Sequence, residues 1–185
     1  MRSFAKIRKR KPGKRKQSKA VRVISLVLNA PEIPQNTGSI ARLCAATDTP
    51  LHLVEPLGFK LTDRYLKRAG LDYWPHVKVS VWADWQAYLA GAKPARLVFT
   101  SSGNRGFMGT RYDIFAYSAD DAIVLGSESC GLPEWMIDTE PNLVRIPIWG
   151  CVRSLNLANA ASILLYEALK CTGSLPGLGS GTSLT

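Results

Sequence analysis

The sequence has few of the residues that bind metal ions or form disulfide frameworks. It contains only two histidines and four cysteines, and the cysteines lie 20 or more residues apart, so that none forms a CxxC pair. A metal site is therefore not expected. Because there is also no signal peptide, we expect four reduced thiols in a cytoplasmic protein.

Long apolar runs and several enzyme motifs are also missing. No run approaches the roughly 20 apolar residues that span a bilayer, so no membrane association is expected. The sequence has no GxGxxG, GxxxxGK[ST], GxSxG or HExxH motif. These absences disfavour hydride transfer, phosphoryl transfer and serine hydrolysis.

Acidic residues are absent from the first 22 positions, which hold 11 of the 24 Lys and Arg residues. The 13 other basic residues nearly balance the 14 acids, so the net charge of +10 resides in this segment. A block of like charges is expected to be disordered and to attract polyanions. We therefore predict a disordered basic arm at 1–22 that binds nucleic acid. An organelle-targeting peptide is the alternative.

Strand-like and helix-like segments alternate along the rest of the chain. Strands are predicted at 21–29, 51–55, 76–82, 96–102, 121–128 and 142–148. Helices are predicted at 39–47, 62–70, 83–91 and 132–138, and a longer helix is predicted to begin at Ser154, a preferred N-cap residue. This order predicts an α/β fold in which a parallel sheet is flanked by helices. We expect one domain at 23–171 and a disordered tail at 172–185.

Three polar loops follow predicted strands, at 30–38, 126–133 and 147–154. Ligands bind beyond the carboxyl ends of such strands, so these loops are the expected site. They contain or adjoin three motifs, which read EIPQNTGSIARLC, LGSESCGLP and VRIPIWGCVRSLNLANAASILLYEAL.

In this order the three motifs resemble the SPOUT class of S-adenosylmethionine-dependent RNA methyltransferases. The segments LHLVEPLGF and LKRAGLDYW are further similar to the compact members that methylate the ribose 2′-oxygen of cytidine or uridine 34 in tRNA. The resemblance covers about 22–171. It implies a deep trefoil knot in the C-terminal part, a homodimer, and binding of the tRNA anticodon stem-loop.

The resemblance also implies roles for individual residues. It places Thr100, Gly126, Ile146, Ser154 and Leu155 at S-adenosylmethionine, where Gly126 would let the backbone approach the ligand. It implies that Ser154 and Asn156 lie beside the reacting centre. The role of Asn159 stays open between structural and functional.

Three further residues are implied in catalysis. Arg42 would orient the ribose or its phosphate and stabilise the developing alkoxide, since a guanidinium stays protonated. Asn36 would hold Arg42 or the ribose, unless it is only a turn residue and helix cap. Glu128 would hold the knot loop or Arg42 rather than act as a general base.

Two motif segments depart from the family pattern. The second motif commonly contains Pro-Glu-Thr-Arg, where this chain has 127–130 as Ser-Glu-Ser-Cys; the third commonly has Pro-Asp-Ser, where this chain has Trp149 to Val152. We expect these departures to affect which tRNA and which base are preferred more than the reaction itself. An enzyme that modifies ribosomal RNA, and a noncatalytic basic RNA-binding protein on the same scaffold, remain alternatives.

Overall fold

The computed structural model describes residues 23–61, 76–103, 109–138 and 140–176. The predicted basic arm at 1–22, the predicted helix at 62–70 and the part of the predicted tail after residue 176 lie outside the described residues. None of the described helices is both long and apolar enough to cross a membrane.

A single sheet of seven strands forms the centre of the described part of the chain. The strands are β1 (Ser25–Asn29), β2 (Leu51–Val54), β3 (Val79–Trp82), β4 (Arg96–Ser101), β5 (Thr110–Arg111), β6 (Asp121–Leu125) and β7 (Leu143–Arg145). Their order across the sheet is β3-β2-β1-β6-β4-β7-β5. Each neighbouring pair is parallel, which confirms the predicted parallel sheet.

Helices cover both faces of this sheet, as the α/β prediction requires. They are α1 (Pro34–Thr47), α2 (Trp85–Ala92), α3 (Glu134–Ile137) and α4 (Leu157–Cys171). The helices α1 and α4 pack together on one face, where they cover Leu26 and Ile123. The helices α2 and α3 cover the other face, where Val27 and Val124 point. The period-two alternation within β1 and β6 thus supplies two apolar cores.

The start of α1 differs from the prediction. The helix begins at Pro34, five residues before the predicted start at Ser39, so most of the predicted loop at 30–38 is its first turn. Proline lacks only an N–H that is unpaired at this position anyway, and its fixed φ suits the first helical turn. The two prolines and Asn36 therefore mark a helix start rather than a long loop.

The cap of α4 also differs from the prediction. Asn156, not Ser154, is the N-cap, and its side-chain oxygen accepts hydrogen bonds from the backbone N–H groups of Ala158 (2.9 Å) and Asn159 (3.4 Å). Asparagine and serine are about equally good caps. Residue preference therefore does not distinguish the two positions, and the helix begins two residues later than expected.

The amino ends of β4 and β6 are joined by an ion pair whose carboxylate is buried and whose guanidinium is partly exposed. Asp121 is fully buried and accepts hydrogen bonds from Arg96 Nε (2.6 Å) and Nη2 (2.7 Å) and from the Ser118 N–H (2.8 Å). A buried carboxylate with three donors is well compensated. This anchor lies at the end of the strands opposite to the carboxyl-end loops.

Candidate active site

A cavity of about 470 Å³ opens at the carboxyl ends of the central strands. Its wall consists of the segments 100–102, 125–132 and 153–157, with further side chains from α1, β7 and α4. Of the three loops predicted to form the site, the loop at 126–133 lines the wall from Gly126 to Leu132, and the loop at 147–154 contributes Ile148, Arg153 and Ser154. The third contributes Ile33 and Asn36.

A chain of hydrogen bonds joins the start of α1, the loop after β6 and the start of α4 at the cavity. The Asn36 side chain donates to Glu128 Oε1 (2.8 Å) and accepts from Asn156 Nδ2 (2.8 Å). Asn36 is 7% exposed. Its buried amide therefore has both a donor and an acceptor partner, as buried polar groups generally do. Residues 92 and 120 positions apart along the chain thus meet at one asparagine.

Glu128 fixes the start of α1 through its carboxylate. Oε2 accepts a hydrogen bond from the Glu32 N–H (2.8 Å), and Oε1 accepts from the Ile33 N–H (3.3 Å) as well as from Asn36. An anion near the first turn of a helix satisfies N–H groups that have no partner within the helix. Of its two predicted roles, these contacts correspond to holding a site loop.

A second carboxylate ties the same two loops in the reverse direction. Glu32 accepts hydrogen bonds from Ser129 Oγ (2.6 Å) and from the Ser129 N–H (3.2 Å). Ser129 belongs to the segment that departs from the family pattern. Sequence reasoning did not single out Glu32, whose only signal was a carboxylate next to the Pro-rich start of α1.

The loop after β6 closes as a small hairpin. Ser127 and Gly131 exchange two backbone hydrogen bonds, of 3.2 and 2.8 Å, and Gly131 has a φ of +68°, which favours glycine. A Cβ on Gly126 would overlap the backbone of Gly131 and Leu132. The close approach that requires Gly126 is thus made by the loop itself, whereas the sequence suggested a ligand.

All five predicted cofactor-contact residues line the cavity. They lie on four different parts of the fold: β4, the loop after β6, the loop after β7, and the turn before α4. They are Thr100, Gly126, Ile146, Ser154 and Leu155.

Of the predicted catalytic residues, Asn36, Glu128, Ser154 and Asn156 also line the cavity. Arg42 does not belong to the cavity wall formed by the described residues, and it lies exposed on α1. Asn159 is exposed one turn into α4. The structure therefore brings four of these residues together and leaves Arg42 outside the group.

The loop after β7 contains two further residues of the cavity wall, Ile148 and Arg153. Between them Trp149 is 92% exposed and Val152 is 58% exposed. Of the other tryptophans, Trp85 is buried and Trp82 is half-buried, whereas Trp74 lies outside the described residues.

The fold and the cavity define a parallel α/β protein whose cavity is built from loops at the carboxyl ends of the sheet. The chain matches the SpoU rRNA Methylase family over residues 23–166, and it belongs to that family. The resemblance to RNA methyltransferases of this class is thereby confirmed.

Individual relatives cover most of the chain. A tRNA (cytidine(34)-2′-O)-methyltransferase from Methylovorus glucosotrophus is 46% identical over 149 residues, which are 79% of this chain and 94% of the relative. A solved structure, described as giving insights into the 2-OH methylation of C/U34 on tRNA, is 42% identical with a TM-score of 0.74. It covers 81% of this chain and 96% of its own.

A more distant solved structure carries a cofactor. It is an AdoMet-bound rRNA methyltransferase from Sinorhizobium meliloti, 26% identical with a TM-score of 0.70, and the match covers 80% of this chain and 56% of that one.

Proposed function

We propose that this protein is an enzyme that transfers a methyl group from S-adenosylmethionine to the ribose 2′-oxygen of cytidine or uridine 34, the wobble nucleotide of tRNA. The observation that carries the proposal is the cavity whose loops are joined through Glu128, Asn36 and Asn156. The proposal is also supported by relatives that are 41–46% identical over about four fifths of this chain and are named tRNA (cytidine(34)-2′-O)-methyltransferase. The expected cytoplasmic location stays a prediction.

The cavity suits a cofactor of this size and chemistry. Its volume of about 470 Å³ lies within the range of about 300–1,000 Å³ for small-molecule sites. Ile146, Ile148 and Leu155 would give apolar surface to the adenine. When bound, S-adenosylmethionine supplies a methyl group on a positively charged sulfur. Thr100, Gly126 and Ser154 would complete the contacts.

The hydrogen-bonded residues Asn36, Asn156 and Glu128 would contribute by positioning other groups. Asn36 and Asn156 would align the ribose hydroxyl at the cavity, which lowers the entropic part of the barrier. Glu128 already accepts three hydrogen bonds, from Glu32, Ile33 and Asn36. A carboxylate so occupied is a positioning residue, and the hydroxyl proton would leave to water or to a substrate phosphate.

Arg42 supplies the positive charge in this proposal. A guanidinium cannot serve as a base, but it can orient a phosphate and stabilise developing negative charge on the ribose oxygen. Because Arg42 is exposed on α1 and outside the described cavity wall, we propose that it serves the cavity of a second copy of the chain. The protein would then act as a homodimer.

The exposed sides of α1 and α4 support this dimer. The two helices pack against each other, and α4 exposes Tyr166, which is 49% accessible. A symmetric dimer buries the same patch of both copies. If that patch is formed by α1 and α4, the Arg42 of each copy lies near the other copy. Sedimentation velocity should give a dimer; a monomer at assay concentration would contradict this part of the proposal.

We also propose that the C-terminal part is knotted, as the resemblance implies. Strand β7 lies between β4 and β5 near one edge of the sheet, whereas α4, which follows it, packs on α1 and β6. The chain must return across the carboxyl ends between these positions. That path supports threading beneath the loop after β6.

The function is tested in cells and with purified protein. Mass spectrometry of nucleosides should show loss of 2′-O-methylated cytidine or uridine at position 34 in tRNA from cells that lack the protein. A loss confined to ribosomal RNA would instead support the alternative substrate. Absence of S-adenosylmethionine binding at millimolar ligand would support the noncatalytic scaffold.

The role of Arg42 is tested by substitution. Arg42→Ala should lower tRNA methylation by at least about 100-fold, which corresponds to about 2.7 kcal/mol of transition-state stabilisation, and should leave cofactor affinity largely unchanged. Arg111→Ala is the matched control, because Arg111 is exposed, pairs with Asp113 and is not part of the described cavity wall. Near-normal turnover of the Arg42 variant would refute the assigned role.

A further inference from the structure

The most exposed large hydrophobic side chain of the described residues stands beside the cavity. Trp149 is 92% exposed, and its neighbour Ile148 forms part of the cavity wall. Four residues further along the same loop, Arg153 also lines the cavity. A tryptophan that gains no burial in the folded chain loses the usual stabilisation from its ring, so its position calls for a ligand that covers it.

The reaction in the proposed function creates a need for such a surface. A ribose can enter a cavity only if its nucleotide leaves the base stack, and the base then loses its stacking partners. Stacking on an aromatic side chain replaces them and is worth about 5- to 150-fold in affinity per base. An exposed indole next in the chain to a residue of the cavity wall is suited to this exchange.

We propose that Trp149 stacks on the base of the nucleotide whose ribose is methylated, and so holds that ribose at the cavity. This inference rests on the proposed function and adds a substrate-binding residue to it. Because stacking reads the face of a base rather than its edge, Trp149 would accept cytidine and uridine alike.

The charge of the loop favours RNA over protein as the occupant. Residues 146–157 contain one cation, Arg153, and no acid. Trp149 and Val152 are therefore exposed apolar side chains on a loop that also carries a positive charge, the combination that single-stranded nucleic acids bind.

The test compares Trp149→Ala with Trp149→Phe and with Trp135→Ala as the matched control. Trp135 is also exposed, at 67%, but it lies on α3 and is not part of the described cavity wall. With an anticodon stem-loop RNA, Trp149→Ala should raise KM about 5- to 150-fold, and Trp149→Phe should recover most of the loss. Cofactor affinity, measured by calorimetry, should stay unchanged in all three variants.

A second RNA substrate tests whether the base that stacks on Trp149 is the base of the target nucleotide. Replacing the target nucleotide with dihydrouridine removes its aromatic face but keeps its ribose, and this change should weaken binding to the wild-type protein but hardly affect Trp149→Ala. If dihydrouridine weakens RNA binding equally in the wild-type protein and in Trp149→Ala, the target base does not stack on Trp149. A Trp149→Ala variant with wild-type KM would also overturn the inference, as would one whose weaker RNA binding is explained by loss of the dimer in sedimentation.

Failure of the proposed function would look different. In that case the wild-type protein would methylate neither the stem-loop nor whole tRNA, and the inference would fall with it. If the wild-type protein methylates tRNA while Trp149→Ala does so equally well, only the inference about Trp149 is overturned.

Discussion

Asn36 is the point at which the hydrogen bonds of the site converge. It is nearly buried, gives its N–H to Glu128 and takes one from Asn156, so it must remain an amide. A hydrophobic residue here could make neither bond. A carboxylate would keep the acceptor but would face Glu128 with a second negative charge.

Asn36→Ala should therefore lower the free energy of unfolding by about 1 kcal/mol, the net value of lost hydrogen bonds whose partners can regain water. Asn36→Asp should cost more, because of the added repulsion from Glu128. Urea unfolding measures both. Gln35→Ala is the control, since Gln35 is exposed on the same turn and should change stability by less than about 0.5 kcal/mol. Equal effects of Asn36→Ala and Gln35→Ala would contradict the structural role.

The cysteines should differ sharply in reactivity. Burial raises the pKa of the Cys44 thiol to about 12, and Cys44 is only 1% exposed. The thiolate is the reactive form, so below its pKa Cys44 stays protonated and inert throughout pH 7–9. Cys130 and Cys151 are exposed, and Cys130 lines the cavity.

Alkylation with iodoacetamide at pH 8, followed by mass spectrometry, should label Cys130 and Cys151 in the native protein and Cys44 only in denaturant. S-adenosylmethionine should slow labelling of Cys130 and leave Cys151 unaffected. Rapid native labelling of Cys44 would show that α1 is not packed as described.

At the scale of elements, hydrophobic periodicity predicted the strands and helices better than proline and glycine predicted their boundaries. Apolar β-branched runs identified β1 and β6 because both are buried on two faces and therefore apolar throughout. The start of α1 was misjudged because two prolines three residues apart, Pro31 and Pro34, suggest a loop, although Pro34 begins the helix. Strand β5 was missed because its two residues, Thr110 and Arg111, are both exposed and carry no pattern.

The hairpin after β6 depends on contact between its own two glycines. Gly126→Ala would push a methyl group into the backbone of Gly131 and Leu132, where neither side is a flexible side chain. We expect a loss of about 1–3 kcal/mol in stability, as for other overpacked sites, and about tenfold or more weaker S-adenosylmethionine binding.

Gly150→Ala is the matched control for this change. A Cβ at Gly150 meets no atom within 4 Å, so the added methyl group should alter neither stability nor cofactor affinity. Calorimetry and thermal unfolding of the two variants give the comparison. A Gly126→Ala protein that binds cofactor normally would mean that the hairpin does not shape the cavity.

For the whole molecule, the sequence predicted which loops meet but not how they are joined. Parallel strands bring their carboxyl ends to one edge, so the motif residues Gly126 and Ser154 were expected in one cavity. The bond that Asn36 donates to Glu128 and the bond that it accepts from Asn156 span 92 and 120 positions. No local pattern encodes such pairs, and they follow only from the order of strands in the sheet.

The charge distribution predicts that the basic arm and the rest of the chain bind different ligands. The arm at 1–22 holds 11 basic residues and no acid, whereas the remainder is nearly neutral. Non-specific attraction to RNA should therefore depend on the arm, and cofactor binding on the cavity at 100–157. Removing residues 1–20 should weaken RNA affinity and leave the affinity for S-adenosylmethionine unchanged.

The salt dependence of RNA binding distinguishes charge from other roles of the arm. Each phosphate contact that is lost should reduce the slope of log affinity against log salt by about 0.7–0.9. The matched control keeps the length of the arm but replaces its Lys and Arg residues with Gln, and it should behave like the truncation because the cations, not the chain, release counterions. If both variants keep the wild-type slope, the arm does not bind RNA, and the targeting alternative would explain its composition. If only the truncation loses affinity, the arm acts through contacts other than charge.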